Sequence, residues 1–260
     1  MVVNEHWTGW EGDVLIVNPK DSFGVLISVK NSIEAQMVAD FPGVSVVDLK
    51  NPLAGSLGCS DFSVAQEVAD TLQANFEGGD SRHSSIALGE VIDGNFWPNV
   101  HAEQRDSVLS KFSFAKMGLS GLAHQSDWPS RWQSAFQRVP KKVTRVAVAY
   151  ADWELAEAPA PDEIIQAAPT IDAKILLVDT FCKSSGTLWT HLDLDQIKSI
   201  SQRVRALGMQ FAVAGSLSLQ DCDSLVGVAD LLAFRGAFCS GDRTGCLDEK
   251  LIAQSLPAQS

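Results

Sequence analysis

The sequence has no paired-cysteine spacing, no excess of basic residues and no long apolar run, and each absence removes a class of protein. Its five cysteines (Cys59, Cys182, Cys222, Cys239 and Cys246) are odd in number and nowhere form a CxxC. A disulfide framework or a zinc site needs pairs, so reduced thiols in a reducing compartment are expected. Lysine and arginine total 20 against 32 acids, a formal net charge of −12. Nucleic acid and anionic membrane surfaces both select basic faces, so neither is an expected partner. No apolar stretch reaches the roughly 18 residues of a membrane-spanning helix. The opening residues, MVVNEHWTGWEGD, lack the basic and apolar regions of a secretory signal, so a cytoplasmic protein is expected. The histidines (His6, His83, His101, His124 and His191) are scattered without metal-ligand spacing, and neither a metal nor another cofactor is expected.

What is present is a large apolar fraction, 45% of 260 residues, gathered into short β-branched runs. The runs Val25–Val29, Val44–Leu49, Ser85–Gly89, Phe112–Met117, Val146–Tyr150, Ile175–Asp179, Phe211–Ala214 and Leu231–Phe234 predict eight strands. Between them, helical periodicity predicts helices at Ile33–Asp40, Ser63–Asn75, Ala102–Ser110, Trp128–Arg138, Asp162–Ala168, Leu194–Leu207, Leu219–Val226 and Asp248–Ser255. Ser32, Asp61 and Asp193 stand where N-caps belong. Continuous rather than alternating apolar runs mark strands covered on both faces, as in a parallel sheet. Eight strand–helix alternations predict an α/β fold, a single (β/α)8 TIM barrel; an open doubly wound sheet leaves the count of eight unexplained. The barrel is expected over residues 25–260 as the catalytic domain. Residues 1–24 form a short N-terminal extension with a candidate extra strand at Val14–Val17.

Barrel chemistry sits at the carboxyl ends of the strands, and here those ends are charged. Strand two closes with Asp48 and Lys50 in VVDLKNPLAGSLG, strand four with Lys116 in FAKMGLSG, and strand five with Asp152 in VAVAYAD. Strand six ends in Asp179, with Lys183 four residues on in LLVDTFCKSSG. Strand seven ends in Gly215 and Ser216, strand eight in Arg235 and Gly236. Side-chain alternation puts Asp48 and Lys50 on one face, and Asp48, Lys50, Lys116 and Asp179 all come from even-numbered strands, so they can share a layer. A single buried Asp–Lys pair is more often structural than catalytic. Several strand ends carrying acids and bases favour chemistry, because buried charges are costly. Asp152 fits a helix cap as well as a catalytic acid. Lys30 reads as a surface or helix-start residue, Arg243 in CSGDRTG as a further candidate cation, and the tryptophans, Trp7, Trp10 and Trp97 among them, as packing.

Lysines crowded in a partly desolvated mouth lower the pKa of at least one amine toward neutrality, and a neutral amine forms a Schiff base with a carbonyl. Carboxylates beside it carry protons during dehydration and carbon–carbon bond formation. Glycine-rich ends of strands seven and eight are where barrels commonly bind phosphate. The residues thus point to an aldolase-like enzyme acting on small phosphorylated carbonyl compounds.

The motifs LISVKN, VVDLKNPLAGSLG, FAKMGLSG, VAVAYAD, LLVDTFCKSSGTL, FAVAGSL and LLAFRGAFCSGDR run in order from about residue 25 to the C-terminus. Together they resemble the (5-formylfuran-3-yl)methyl phosphate synthases, also called 4-(hydroxymethyl)-2-furancarboxaldehyde-phosphate synthases, which make the furan precursor of methanofuran. The resemblance implies a lyase-type condensation of two glyceraldehyde 3-phosphate molecules, with loss of one phosphate and two waters. It implies Lys50 as the Schiff-base lysine, with Asp48, Lys116, Asp179 and Lys183 as catalytic partners. Gly215, Ser216, Arg235 and Gly236 would hold substrate phosphate. A small-molecule substrate, no metal and a homo-oligomeric assembly follow as expectations. The extension at residues 1–24 and the stretch 78–100 depart from the family pattern, as does the KN that follows Ser28-Val29. Two alternatives stay open: another Schiff-base barrel aldolase on a different sugar phosphate, and a non-catalytic phospholigand-binding protein.

Overall fold

Eight parallel strands close on themselves in sequence order, each paired with its neighbours and the last with the first. A computed structural model of the chain describes residues 23–76 and 82–256. The extension and its candidate strand at Val14–Val17, together with Trp7 and Trp10, lie outside the described residues. The strands are β1 (Gly24–Val29), β2 (Val46–Leu49), β3 (His83–Glu90), β4 (Phe114–Gly118), β5 (Thr144–Tyr150), β6 (Ala173–Asp179), β7 (Gln210–Val213) and β8 (Leu231–Phe234). The helices are α1 (Ser32–Ala39), α2 (Phe62–Asn75), α3 (Ala102–Leu109), α4 (Trp128–Phe136), α5 (Pro161–Ala167), α6 (Leu188–His191), α7 (Leu194–Ala206), α8 (Cys222–Leu225) and α9 (Glu249–Ser255). The expected (β/α)8 barrel is therefore the observed fold.

The apolar runs are continuous because each strand is buried twice. Leu26, Val46, Phe114, Val148, Ile175, Leu177 and Leu231 fill the barrel interior. Their neighbours Ile27, Val47, Leu49, Ile86, Val178 and Leu232 point outward and pack under the helices. Each such side chain contributes about 1.5–3 kcal/mol by leaving water, so register is strongly specified on both faces.

Element ends differ from expectation for local reasons. α1 is capped by Asn31, whose side chain accepts from Glu34 N, one residue before the expected Ser32. Asp61 occupies the N-cap of α2 without a side-chain cap bond, whereas Asp193 caps α7 in a reciprocal box with Gln196. α5 begins at Pro161, since a proline at the first helical turn loses no hydrogen bond. The helix expected at Leu219–Val226 is a 3-10 turn, Leu219–Asp221, followed by the single turn α8. Asp221 reaches back to Ser218 N at 2.6 Å and tightens that start. β3 is longer than expected and carries a register shift between Ala87 and Glu90.

Candidate functional site

The even-numbered strands deliver a charged layer to the mouth of the barrel. Asp48, fully buried on β2, sits opposite Ser28 of β1 in register, and Ser28 Oγ donates to its Oδ2 at 3.0 Å. Lys116 of β4 reaches over β3 to Asp48 Oδ1, Nζ to Oδ1 2.7 Å. That contact is an ion pair only, for Oδ1 receives no well-aligned hydrogen bond among the described residues. Asp179 ends β6, and its Oδ1 takes Lys183 Nζ at 2.6 Å and Thr180 N at 2.8 Å. Lys183 also donates to Thr180 Oγ1 at 3.0 Å.

The loop after β2 completes this second pair. Asn51 N donates to Gly58 O at 2.8 Å, closing the segment NPLAGSLG into a tight turn. A Cβ at Gly58 would fall 2.2 Å from Asn51 O, so the turn requires glycine there. The turn drives Ser56 inward until its Oγ donates to Asp179 Oδ2 and to Thr180 O, both at 2.9 Å. Burial pushes the Asp179 carboxyl up, but Lys183, then Lys50, and the hydrogen bonds from Lys183 and Ser56 outweigh it. The carboxyl lies well below the usual carboxylate range and stays ionised.

Lys50 stands between the two pairs with its amine unclaimed. It is 8% exposed, and among the described residues Nζ makes neither a hydrogen bond nor an ion pair. Burial is the largest influence on it, and Lys183 and Lys116 push the same way, against Asp179 and Asp48. The amine is lowered to about 7, which brings its neutral form within reach near neutral pH.

The strand-seven and strand-eight ends separate into two kinds. Gly215 and Ser216 hold positive φ, 105° and 56°, and the backbone N–H groups of Gly215, Ser216 and Gly236 donate to no acceptor among the described residues. They are available to an anion. Arg235, the expected phosphate-binding cation, has its guanidinium engaged within the protein. Its Nε donates to Arg243 O at 2.6 Å, Nη1 to Ser28 O at 2.8 Å and Glu34 Oε2 at 2.9 Å. Nη2 donates to Gly245 O at 2.9 Å and Glu34 Oε1 at 3.4 Å. All five guanidinium donors are thus spent tying β8 to β1, α1 and the following loop. Lys30 joins the same network, donating to Thr244 O at 3.1 Å and Gly245 O at 2.9 Å.

Arg243, by contrast, is half-buried, with one contact to Gly55 O at 3.4 Å. Burial is the largest influence lowering its pKa, and the charge of Asp179 opposes that shift. Asp152 is buried and accepts from Phe181 N at 2.6 Å and Cys182 N at 2.8 Å. It caps the loop after β6, just before Lys183, rather than its own helix. Trp97 is packing, edge-on to Phe62 and Phe96. Among the described residues no cluster of three or more His, Cys, Asp or Glu could hold a metal, and no helix is long and apolar enough to cross a membrane.

One acid of the mouth lies outside the expected strand ends. Glu90, one past the expected end of β3, accepts hydrogen bonds from Tyr150 Oη and, at 2.9 Å, from Ser120 N. The glycine–acid ending ALGE is its signal in the sequence, one residue beyond the expected strand end at Gly89.

Known proteins place this chain in a family. The family profile described as 4-HFC-P synthase matches residues 25–255. The (5-formylfuran-3-yl)methyl phosphate synthase of Methanosarcina mazei is 26% identical over 235 residues, covering 88% of this chain and 95% of that protein. The protein of the same name from Methanococcus maripaludis is 29% identical over 256 residues, covering 93% and 97%. Among solved structures, 3-hexulose-6-phosphate synthase superposes with a TM-score of 0.54 at 12% identity, covering 90% of this chain and all of the other. N-(5'-phosphoribosyl)anthranilate isomerase from Pyrococcus furiosus gives 0.53 at 13% identity, covering 90% and 96%; both show the barrel alone. With the profile spanning nearly the whole barrel, the chain belongs to the 4-HFC-P synthase family.

Proposed function

We propose that the chain condenses two molecules of glyceraldehyde 3-phosphate into (5-formylfuran-3-yl)methyl phosphate, releasing one phosphate and two waters, as the furan-forming step toward a methanofuran-type cofactor. Lys50 carries this reading: a buried amine without an ion-pair partner among the described residues, lowered to about 7 between two acid–lysine pairs. Its neutral form attacks the carbonyl carbon of one triose phosphate and expels the oxygen as water, leaving an iminium that acidifies the adjacent C–H. Asp179, held ionised, is a proton acceptor on one side of that carbon; Asp48 serves on the other. Among the described residues Lys116 Nζ meets Asp48 alone and keeps N–H donors for a substrate oxygen, whereas Lys183 spends its donors on Asp179 and Thr180 and acts through its charge. Both stabilise charge on phosphate or a departing oxygen. The N–H groups of Gly215, Ser216 and Gly236, with Arg243 in place of Arg235, form the phosphate cradle.

The test is incubation of the full chain with glyceraldehyde 3-phosphate, following inorganic phosphate and furan-aldehyde absorbance. Borohydride reduction with peptide mass mapping is run alongside. The expected result is both products and a label on Lys50, with Lys50→Ala losing product by at least about 10³-fold. Folded protein that releases neither product sinks the reading. A label on Lys50 with other carbonyl phosphates but not with this triose assigns a different aldol-type substrate.

A further inference from the structure

Outside the acid–lysine layer, Glu90 is a carboxylate at the mouth that no cation pairs with among the described residues. On β3, Ala87 lies opposite Lys116 of β4 and Glu90 lies opposite Gly118, so three steps on β3 cover two on β4. Gly89 lies in this irregularity with φ 86°. Without it, strict alternation from Ala87 would send Gly89 inward and Glu90 toward the helices. The bulge re-aims Glu90 into the barrel. There its Oε1 accepts from Tyr150 Oη and its Oε2 accepts from Ser120 N at 2.9 Å. Room for the pair exists only because residue 118 is glycine. A Cβ there would lie 2.1 Å from Glu90 Oε2 and 2.3 Å from Tyr150 Oη.

Tyr150 is 1% exposed, part of the interior cluster, and opposite Asp179 in the β5–β6 register. Its ring meets Phe181, two residues beyond Asp179, edge-on at 5.3 Å. The phenol therefore adjoins the reacting layer on one side and Glu90 on the other. Glu90 also lines a cavity of about 470 Å³ between the loops after β2 and β3. The cavity carries Asp61 and Asp93 as well as Glu90 and no lysine or arginine, so it does not suit phosphate. Its thiol, Cys59, is pushed up to about 12 by burial and is no nucleophile.

We infer that Glu90 and Tyr150 form a second proton-transfer couple of this site, with Tyr150 meeting the substrate and Glu90 holding the proton that Tyr150 passes on. The inference rests on the proposed condensation, which must move protons at both trioses. In the step, a substrate hydroxyl gives its proton to the Tyr150 oxygen as the Tyr150 O–H proton moves to Glu90. The substrate oxygen keeps the electron pair, Tyr150 ends neutral, and Glu90 becomes a carboxylic acid. Running in reverse, the couple delivers that proton to a departing hydroxyl, which leaves as water. No oxidant or co-reactant enters.

The electrostatics suit these roles. Burial raises the Glu90 carboxyl, against the hydrogen bonds from Tyr150 and Ser120, and nearby Asp93 raises it further. Asp61 faces it across the cavity, and no cation pairs with it among the described residues. Burial first, then the charge of Glu90, keeps the Tyr150 phenol neutral, and Asp179 and Asp152 act in the same direction.

The experiment compares wild type, Glu90→Gln, Tyr150→Phe and the double variant as full chains with glyceraldehyde 3-phosphate, reading turnover against pH and borohydride labelling of Lys50. Expected is a retained Lys50 label, with kcat lower by about 10²-fold in each single variant. The double variant falls no further than the worse single one, as for groups acting as a unit. In wild type the acid limb reaches a slope of two once both Lys50 and Glu90 are protonated, and in Glu90→Gln it keeps a slope of one. Turnover within about threefold of wild type in either folded variant overturns the inference, as do additive losses or an unsteepened wild-type limb. If Glu90→Gln fails to fold, Tyr150→Phe, which loses one oxygen and keeps its ring on Phe181, carries the same readouts. No Lys50 label in wild type overturns the proposed condensation and this couple together; a retained label with unchanged turnover overturns the couple alone.

Discussion

Lys50 has the environment of a switchable base because its neighbours pull in opposite directions. Burial lowers the amine and Lys183 adds to that, while Asp179 is the strongest force holding it charged. The sign of two substitutions follows. Lys183→Met removes a repelling charge and frees Asp179 for Lys50, so the Lys50 pKa rises. Asp179→Asn removes the main attraction, so it falls. In wild type only neutral amine attacks, so the acid limb of kcat/KM should include a titration near 7 from this group. Residual activity of Lys183→Met should show that limb at higher pH, and that of Asp179→Asn at lower pH. Coincident limbs in all three proteins would show that the titrating group is not Lys50.

At the scale of elements, the mouth is built from loops that lend one another hydrogen bonds. Asp152, just after β5, accepts from Phe181 N and Cys182 N and so fixes the loop that carries Lys183. Asp152→Ala leaves two N–H groups without acceptors and should cost about 1–3 kcal/mol. The loss should be local: amide exchange at Phe181 and Cys182 should accelerate while the β5 and β6 amides stay protected, and turnover should fall about tenfold or more. Unchanged exchange at those two amides would refute Asp152 as the anchor of that loop. This also shows where legibility ends. The strands are readable because burial on both faces makes runs such as Ile175–Val178 continuous, and a charge such as Asp179 at the end of a run marks the mouth. Partners set by tertiary closure are not readable. Ser56 meets Asp179 across 123 positions, Arg235 meets Glu34 across 201, and a bulge at Gly89 reverses the face of Glu90. Arg235 illustrates the difference: its place at the end of β8 is legible, but the five acceptors that occupy it come from segments no local pattern connects.

For the molecule as a whole, a chain of net charge −12 concentrates Lys50, Lys116, Lys183 and Arg243 around one mouth, and that concentration opposes folding. Each of Lys116 and Lys183 is offset by its own carboxylate; Lys50 is not. Its amine titrates near 10.5 when exposed in the unfolded chain and at about 7 in the native one. Between those values the unfolded state binds the extra proton, so this group's contribution to stability rises with pH across that window and its penalty is full below about 7. Lys50→Met keeps the side chain's length and removes the charge, leaving both acid–lysine pairs intact. The variant should be inactive yet more stable than wild type, by on the order of a few kcal/mol near pH 6.5, as expected where a functional group is held at the expense of the fold. The sign makes the measurement specific. Denaturant unfolding of the two proteins at pH 6.5 and 9.5 should show the gap narrowing as pH rises, by about 1.4 kcal/mol for each unit crossed within the window. A gap that is constant or widens toward alkaline pH would mean that Lys50 is not the uncompensated charge of this barrel, and a destabilised Lys50→Met would mean that its attraction to Asp48 and Asp179 outweighs its burial.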